Sequence, residues 1–306
     1  MRHYHSLDEI TLPDSWVTIG SFDGVHKGHQ AILDGLVEQA HAENTLAVVL
    51  TFFPHPAVVL RGLTGPYYLT SPEERANLLA AIGVDIIITN EFTKQTALLS
   101  AKEFMEKLCG RLGLRQLWAG YDFALGRGRE GDVLFLQQLG KELGYTVHVI
   151  PPVTLSDDII SSSQVRQFLT KGDVSGAARL LGRNYTISGK VVQGDGRGRG
   201  LGIPTANLQV WPLKLLPASG VYATWTWLGE QRIPSITNVG VRPTFENQPV
   251  APRVETHILN FDQDIYGSEL RLEFLSFLRS EQRFTSIQAL MDQIQKDIRK
   301  AQEILA

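Results

Sequence analysis

The residues best suited to chemistry in this chain are two histidines, His26 and His29, at the start of a predicted helix. An apolar run at 16–19 predicts a strand, and the apolar spacing from Ile32 to Val37 predicts the helix that follows. The amino end of a helix carries unpaired N–H groups and partial positive charge, so it favours phosphate. Imidazoles add donors there, and Gly28 lacks a Cβ that would block close approach. The segment predicts a phosphate-binding turn; the alternative is an ordinary loop that contains histidines.

A serine-rich segment at 160–166, Ile-Ser-Ser-Ser-Gln-Val-Arg, precedes another helical pattern. Serines can cap a helix, which is the structural alternative for Ser162 and Ser163. Arg166 supplies a fork of donors that suits phosphate oxygens. Because the histidine turn is also present, we interpret this segment as a second phosphate-binding element.

The glycine-rich string at 120–131 contains a formal G-x-G-x-x-G at Gly126, Gly128 and Gly131. A dinucleotide-binding fingerprint follows the first strand of its domain, and an acidic residue stands at the end of the next strand. Here the string follows the fourth predicted strand, and the next strand ends in two prolines at 151–152. The sequence therefore excludes an NAD-binding function for this string.

A second loop rich in glycine and arginine lies at 194–202, between strand-like stretches. Alternating glycines let successive backbone N–H groups turn toward an anion, and Arg197 adds positive charge. Thr205 and Asn207 follow with hard oxygen atoms, which Mg²⁺ accepts alongside phosphate and water. No G-K-[ST] follows, so this is not a Walker A loop. The alternative is a flexible linker, which would suit RNA binding.

Composition bounds the class of protein. A length of 306 residues with 43% apolar residues predicts about two domains, each with its own core. The net charge of −3 gives no general attraction to nucleic acid. The single cysteine, Cys109, excludes an intramolecular disulfide and a Cys-rich zinc site, and its helical setting favours a buried structural thiol. Without an apolar signal region or bilayer-spanning run, we expect a soluble cytoplasmic protein.

The pattern of predicted secondary structure changes near residue 182. Before it, apolar strands alternate with helical patterns, which predicts a Rossmann-like α/β domain with a parallel sheet covered on both faces. After it, short alternating stretches predict an antiparallel β-barrel or sandwich with a C-terminal amphipathic helix packed on it. We expect domains at 1–182 and 183–306. The predicted strands are 15–20, 46–52, 84–89, 115–120, 145–150, 185–192, 220–228, 233–239, 253–259 and 270–278. The predicted helices are near 27–43, 72–82, 101–112, 132–143, 161–170, 173–181 and 287–298.

The string from Gly20 to His29, G-S-F-D-G-V-H-K-G-H, resembles the H-x-G-H nucleotidyltransferases. Its full length narrows the resemblance to the FAD synthetase module of bacterial bifunctional riboflavin kinase/FMN adenylyltransferases. In that family the two histidines bind ATP phosphates and stabilise charge as the α-phosphate is attacked. The strings at 120–126 and 160–166 resemble the family's G-x-D-F-x-F-G and I-S-S-T-x-I-R. The resemblance implies ATP or phosphate binding by Gly20, Phe22, Asp23, Gly28, Ser162, Ser163 and Arg166, and flavin binding by Asp122 and Phe123.

Two residues depart from the family pattern. Phe53 precedes a Pro-His-Pro turn where the family often has an acidic residue, and Leu125 stands where it often has phenylalanine. Leucine keeps the bulk of phenylalanine but cannot stack on a flavin ring. For His55, in the Pro-His-Pro turn, a stiff structural turn and a ligand role both remain open.

The second domain resembles riboflavin kinases through three strings: 189–207, which ends in P-T-A-N; 238–245, similar to N-x-G-x-R-P-T-F; and 254–267, similar to V-E-x-H-x-x-x-F-x-x-D-x-Y-G. The resemblance implies that Glu255 is the base that takes a proton from the riboflavin 5′-hydroxyl. It also implies Mg²⁺ ligands at Thr205 and Asn207 and phosphate binding by Gly196, Arg197 and Gly198. Without the resemblance, Glu255 would read as a surface carboxylate on a half-exposed strand.

The resemblance covers nearly the whole chain and implies two ATP-dependent reactions that use Mg²⁺, from riboflavin to FMN and from FMN to FAD. Two rival classes remain: a barrel that only binds flavin or regulates, and a barrel that binds RNA. The P-T-A-N string with Glu255 argues against the first, and the acidic net charge argues against the second. We expect riboflavin, FMN and ATP as partners, no nucleic acid or membrane, and a monomer or weak oligomer.

Overall fold

The computed structural model describes residues 1–155, 158–194, 202–241 and 252–306. The chain divides into two compact units, Met1–Ser162 and Ser163–Ala306. The helices are α1 (Lys27–Ala42), α2 (Pro56–Arg61), α3 (Pro72–Ile82), α4 (Ala101–Leu112), α5 (Val133–Leu143), α6 (Ser162–Thr170), α7 (Val174–Leu181) and α8 (Ile287–Leu305). Among the helices of these described residues, none is both long and apolar enough to cross a membrane.

The strands of the first unit are β1 (Arg2–Tyr4), β2 (Ser15–Ile19), β3 (Ala47–Phe53), β4 (Ile86–Glu91), β5 (Leu114–Gly120), β6 (Ala124–Leu125), β7 (Gly131–Asp132), β8 (Thr146–Ile150), β9 (Thr154–Leu155) and β10 (Asp158–Ile159). Those of the second unit are β11 (Tyr185–Val192), β12 (Ala206–Val210), β13 (Gly220–Leu228), β14 (Gln231–Val241), β15 (Pro252–Ile258) and β16 (Glu269–Arg279).

The first unit is built on a parallel sheet of six strands in the order β1-β4-β3-β2-β5-β8. Alternate residues of its strands point to opposite faces, so Val17 and Trp16 belong to different cores. One core packs α4 and α5 against the sheet, and the other packs α1 and α3. The predicted parallel sheet with helices on both faces is confirmed.

The order of the strands places the opening turn at a crevice. β2 pairs with β3 on one side and with β5 on the other, so the chain reverses its direction of travel across the sheet beside β2. Ligands of open α/β sheets bind at such a point, beyond the carboxyl ends of the strands. The turn after Ile19 leaves from that end and leads into α1.

The sequence missed the edge strand β1, which pairs in parallel with β4 from Arg2 opposite Ile86. Its three residues are too few and too polar to form an apolar run, so only pairing with β4 makes them a strand. Cys109 is half-buried and packs against the core on the α4 side of the sheet. Burial raises the pKa of its thiol to about 11, which supports the predicted structural role because a protonated thiol is a poor nucleophile.

The second unit is a closed antiparallel barrel in the order β11-β12-β15-β14-β13-β16. The barrel is therefore confirmed over the alternative sandwich. β12 was not predicted as a strand because it is short and directly follows the glycine-rich string. As expected, α8 packs on the barrel, where Ala301 and Leu305 join a core with Val221 and Ile236.

Helices α6 and α7 belong to the second unit by their contacts. The Ala218 N–H donates to the Leu169 carbonyl oxygen at 2.9 Å. A Cβ built on Gly172 would lie 3.3 Å from the Tyr222 hydroxyl oxygen and 3.4 Å from the Phe277 ring. The contact division thus falls at residue 162, while the predicted domain boundary at residue 182 stays a prediction.

Five hydroxyl side chains form a hydrogen-bonded ring inside the barrel, and each residue is fully buried. The ring consists of Thr224, Thr226, Ser235, Thr237 and Thr256, with oxygen separations of 2.7–3.5 Å. A closed set of buried hydroxyls satisfies its own donors and acceptors. Because strand residues alternate, the inward Thr256 places its neighbours Glu255 and His257 on the outer face of β15.

Candidate active sites

The turn between β2 and α1 has an unusual backbone. Phe22 and Val25 have φ values of 45° and 41°, in the left-handed region that side chains other than glycine rarely adopt. Both residues are buried, with 2% and 1% of their surface exposed. Each such residue costs about 1–3 kcal/mol, so surrounding contacts must hold the turn in this shape.

The Asp23 carboxylate supplies several of those contacts. It is fully buried and accepts hydrogen bonds from the backbone N–H groups of Leu69 and Thr70 at 3.0 Å, and from the Thr70 hydroxyl at 3.1 Å. The same hydroxyl oxygen accepts from the Gly24 N–H at 3.1 Å. Asp23 therefore anchors the turn to the segment before α3. The predicted binding of ATP by Gly20, Phe22 and Asp23 stays a prediction.

Arg75 on α3 is a buried residue that the sequence did not single out. Its guanidinium donates to the carbonyl oxygens of Ser21 at 2.6 Å and Phe52 at 3.2 Å. These carbonyl oxygens lie at the carboxyl ends of the neighbouring strands β2 and β3. Arg75 therefore links the segments with which the two strands end. Burial lowers the pKa of Arg75, and the nearby charge of Asp23 opposes that effect. No local signal marks this role, since an arginine side chain is usually exposed.

The two predicted catalytic histidines lie together at the start of α1. His26 is the N-cap residue, and its Nδ1 accepts a hydrogen bond from the His29 backbone N–H at 3.3 Å. The two rings stack with centroids 3.6 Å apart. Because Nδ1 of His26 acts as an acceptor, the proton of the neutral ring is on Nε2. The structure thus brings both histidines to a helix terminus, as the spacing predicted.

Gly28 allows this close arrangement. A Cβ built on it would lie 3.1 Å from Cε1 and 3.2 Å from Nδ1 of His26. The same Cβ would lie 3.5 Å from the carbonyl oxygen of Ile160, so the serine-rich segment passes close by. Ser162 donates its hydroxyl proton to the Asp23 carbonyl oxygen at 2.9 Å. Ser163 and Arg166 follow on α6, and their phosphate-binding role stays a prediction.

His55 caps α2 in the same manner as His26 caps α1. Its ring atom Nδ1 accepts a hydrogen bond from the Ala57 backbone N–H at 3.0 Å, and the backbone N–H of His55 donates to the Tyr68 hydroxyl at 2.9 Å. These contacts support the structural role of the Pro-His-Pro turn. The ring of Phe53, just before this turn, lies 5.5 Å from that of Tyr68.

The predicted flavin-binding residues follow β5. Asp122 is exposed, and its carbonyl oxygen accepts from Arg129 at 2.9 Å. Phe123 and Leu125 are partly buried and pack against the core on the α4 side. Leu125 therefore has a packing role in the first unit. Flavin binding by Asp122 and Phe123 stays a prediction.

The predicted kinase residues meet on neighbouring strands of the barrel. The β12–β15 register pairs Asn207 with Glu255, two residues that are 48 positions apart in the sequence. Directly opposite residues have Cβ atoms about 4.5–5.5 Å apart. A Cβ built on Gly194 would collide with the Asn207 amide, so that glycine leaves room for it. The predicted Gly196, Arg197 and Gly198 lie outside the described residues.

Two contacts near Glu255 were missed by sequence reasoning. Arg253 forms an ion pair with Glu255 Oε1, and His257 Nδ1 lies 2.8 Å from the Pro204 carbonyl oxygen. Arg253, Glu255 and His257 alternate along β15, so the period of two placed them on one face. Only the folded barrel shows which partner each of them meets.

Two cavities of about 540 Å³ and 290 Å³ flank these strands. Thr205 and His257 line both of them, while Asn238 and Glu255 line the smaller one. The larger is also lined by Asp262, Asp264 and Tyr266. Volumes of this order hold small ligands in other proteins. Thr205 and His257 therefore lie between the two cavities.

A buried ion pair anchors α8 as one wall of the smaller cavity. Arg279 donates from Nε to Asp297 Oδ2 at 2.9 Å, and its Nη2 lies 2.8 Å from the same atom in an ion pair. The two side chains are 16% and 5% exposed. Paired planar groups of this kind fix orientation as well as distance. Among the residues that the structure describes, no cluster of three or more His, Cys, Asp or Glu is placed to hold a metal ion.

Comparisons with known proteins agree with the two units. A model of the FAD synthetase family matches residues 9–164, and a model of the riboflavin kinase family matches residues 181–305. The bifunctional riboflavin kinase/FMN adenylyltransferase of Escherichia coli strain K12 is 37% identical, over 99% of this chain and 96% of that protein. The protein of the same description from Pseudomonas fluorescens is 39% identical, over 94% of this chain and 92% of that protein.

The fold of the whole chain also has a solved counterpart. A crystal structure described as a macrolide-efflux protein from Streptococcus pneumoniae is 31% identical, with a TM-score of 0.88 and 98% of each chain covered. The matched families span both units, and the relatives match from end to end at more than 30% identity. The chain therefore belongs to the family of bifunctional riboflavin kinase/FMN adenylyltransferases.

Proposed function

We propose that this chain makes FAD in two steps, each with ATP as co-substrate. The barrel transfers the γ-phosphoryl group of ATP to the 5′-hydroxyl of riboflavin, which gives FMN and ADP. The α/β unit then transfers AMP from ATP to FMN, which gives FAD and pyrophosphate. Membership of the family supports both activities. The observation that carries the residue assignments is the pairing of Asn207 with Glu255 beside two cavities.

In the kinase step, Glu255 acts as the general base. A primary hydroxyl is a weak nucleophile until its proton is removed. The Glu255 carboxylate, which lines the smaller cavity, would accept that proton. The freed oxygen attacks the γ-phosphorus as the bond to the ADP oxygen breaks. Arg253 holds one carboxylate oxygen in an ion pair, which fixes the orientation of the base.

Thr205 and Asn207 fit Mg²⁺. Their side-chain oxygens are hard donors, and Mg²⁺ prefers one or two such ligands completed by water and substrate phosphates. When bound, the ion would offset the negative charge of the ATP phosphates. Backbone N–H groups near Gly196 and Gly198, with the charge of Arg197, complete the proposed phosphate site. These three residues lie outside the described part of the chain.

In the adenylyl transfer, the protein needs no general base. The phosphate of FMN is already largely dianionic at neutral pH, because the second pKa of a phosphate monoester is about 6. Its oxygen attacks the α-phosphorus of ATP, and pyrophosphate leaves. His26 and His29 stabilise the charge on the α-phosphate, with Nδ1 of His26 already accepting the His29 N–H. We assign Ser162, Ser163 and Arg166 to the departing phosphates, and Asp122 and Phe123 to the flavin.

We expect a cytoplasmic protein that acts as a monomer or weak oligomer, and that binds neither nucleic acid nor membranes. The net charge of −3 supports the first exclusion, since nucleic-acid binding depends on clustered basic residues.

The assignments are tested with two variants in one assay. The wild-type chain, riboflavin, ATP and Mg²⁺ should give FMN and then FAD, separated by chromatography. Glu255→Gln should lower FMN formation about 10²–10⁴-fold and leave FAD formation from supplied FMN unchanged. His29→Ala should show the reverse pattern, with a loss of about 10²-fold or more in FAD formation. If either variant retains the activity it should lose, the role of that residue is wrong.

A further inference from the structure

His257 makes a contact to which the two proposed reactions assign no role. It lies on β15 two residues after Glu255, and its Nδ1 is 2.8 Å from the Pro204 carbonyl oxygen. A carbonyl oxygen can only accept, so Nδ1 carries the proton and donates it. The side chain therefore joins the strand of the proposed base to the segment of the proposed Mg²⁺ ligands.

The bond lies just beyond the end of the β12–β15 ladder. The last paired residues at that end are Ala206 and Thr256. Pro204 and Thr205 come before β12 and are exposed, and proline has no backbone N–H with which to extend the ladder. A hydrogen bond to the Pro204 carbonyl therefore restrains the backbone one residue before Thr205.

Thr205 and His257 also lie between the two cavities, because they line both. A ligand in the larger cavity and one in the smaller cavity would react across this point. The rate of such a transfer depends on fixed geometry, and a displacement of about 1 Å can cost about 10²-fold. A side chain that fixes Thr205 here would act on the rate more than on ligand binding.

We propose that His257 is a positioning residue for the phosphoryl transfer. Its Nδ1–H holds the Pro204 carbonyl and so fixes Thr205, just before β12, relative to Glu255 on β15. This proposal rests on the kinase function of the barrel. It assigns no proton transfer to the ring.

Two substitutions separate the donor atom from the rest of the ring. The amide nitrogen of asparagine falls near the position of Nδ1, whereas that of glutamine falls near Nε2. We expect His257→Asn to retain kcat for FMN formation within about tenfold, because it can still donate to Pro204. We expect His257→Gln to lower kcat by about 10²-fold with a KM for riboflavin close to that of the wild type. His257→Phe, which keeps the ring without a donor, should match the glutamine variant.

The same preparations supply the controls. A cooperative melt shows that each variant is folded, and FAD formation from supplied FMN should be equal in all of them. An asparagine variant as inactive as the glutamine variant would overturn the proposal, because the imidazole itself would then be required. A glutamine variant with wild-type kcat would overturn it as well. A wild-type chain that forms no FMN would instead remove the kinase function on which the proposal rests.

Discussion

Replacement of Gly28 by alanine tests how closely the histidine pair is packed. Gly28 is the second residue of α1, between His26 and His29. A Cβ at this position would lie 3.1 Å from Cε1 of His26. Ordinary contacts between carbon atoms begin at about 3.5 Å, so the ring must move by about 0.4 Å.

The His26 ring has little freedom to move. It is 6% exposed, stacks on His29 at 3.6 Å, and accepts the His29 N–H at Nδ1. A displacement of His26 therefore shifts both imidazoles relative to the phosphates they would contact. Since about 1 Å of misplacement can cost about 10²-fold, we expect Gly28→Ala to lower kcat for FAD formation by about tenfold.

The thermal stability of Gly28→Ala should be equal to or higher than that of the wild type, although its activity falls. Alanine is favoured over glycine in a helix by about 0.5–1 kcal/mol, so the variant should melt no lower than the wild type. Gly110→Ala is the matched control, because it lies in α4 and its added Cβ would meet nothing within 4 Å. That control should keep full FAD formation. FMN formation by the barrel should be the same in both variants.

The assay measures FAD formed from supplied FMN and ATP, with FMN formed from riboflavin measured in parallel. Undiminished FAD formation in Gly28→Ala would refute the argument that this glycine leaves space for the His26 ring. A lower melting temperature together with loss of both activities would indicate unfolding instead, and the packing argument would again fail.

Three further predictions concern other contacts. Gly194→Ala should displace the amide of Asn207, so FMN formation should fall and require more Mg²⁺, as a titration would show. A fragment of residues 163–306 should melt cooperatively and phosphorylate riboflavin. A fragment of residues 183–306 should melt at a lower temperature, because the buried face of α7 is missing. Arg75→Met should remove the guanidinium donor from the Phe52 carbonyl oxygen, which costs about 1–3 kcal/mol and lowers the unfolding free energy of the first unit; the Ser21 carbonyl oxygen still accepts from the Thr51 hydroxyl.

Each of these predictions has an outcome that contradicts it. If Gly194→Ala requires no more Mg²⁺ than the wild type, that glycine does not affect the metal site. Equal melting temperatures of the two fragments would favour a domain boundary at residue 182. Denaturant unfolding of Arg75→Met with an unchanged midpoint would show that water replaces the guanidinium at the Phe52 carbonyl oxygen.

The sequence by itself determined the classes of structure and the chemistry. Apolar strands between helical patterns predicted the covered parallel sheet, because a strand buried on both faces has no polar side. The spacing of His26 and His29 after a strand placed both at a helix terminus, since three residues span nearly one helical turn. These are local properties, and a pattern of neighbouring residues is enough to read them.

Tertiary structure alone decided which distant groups meet. Asp23 holds residues 46 and 47 positions away, and Arg75 reaches back 54 positions to Ser21. The pairing of Asn207 with Glu255 depends on the register of β12 and β15. A shift of one residue would turn the side chains of one strand to the opposite face of the sheet. Neither register nor burial of a charged residue has a local signature. They follow from the packing of whole elements, so the sequence supplied the candidate residues and the fold supplied their partners.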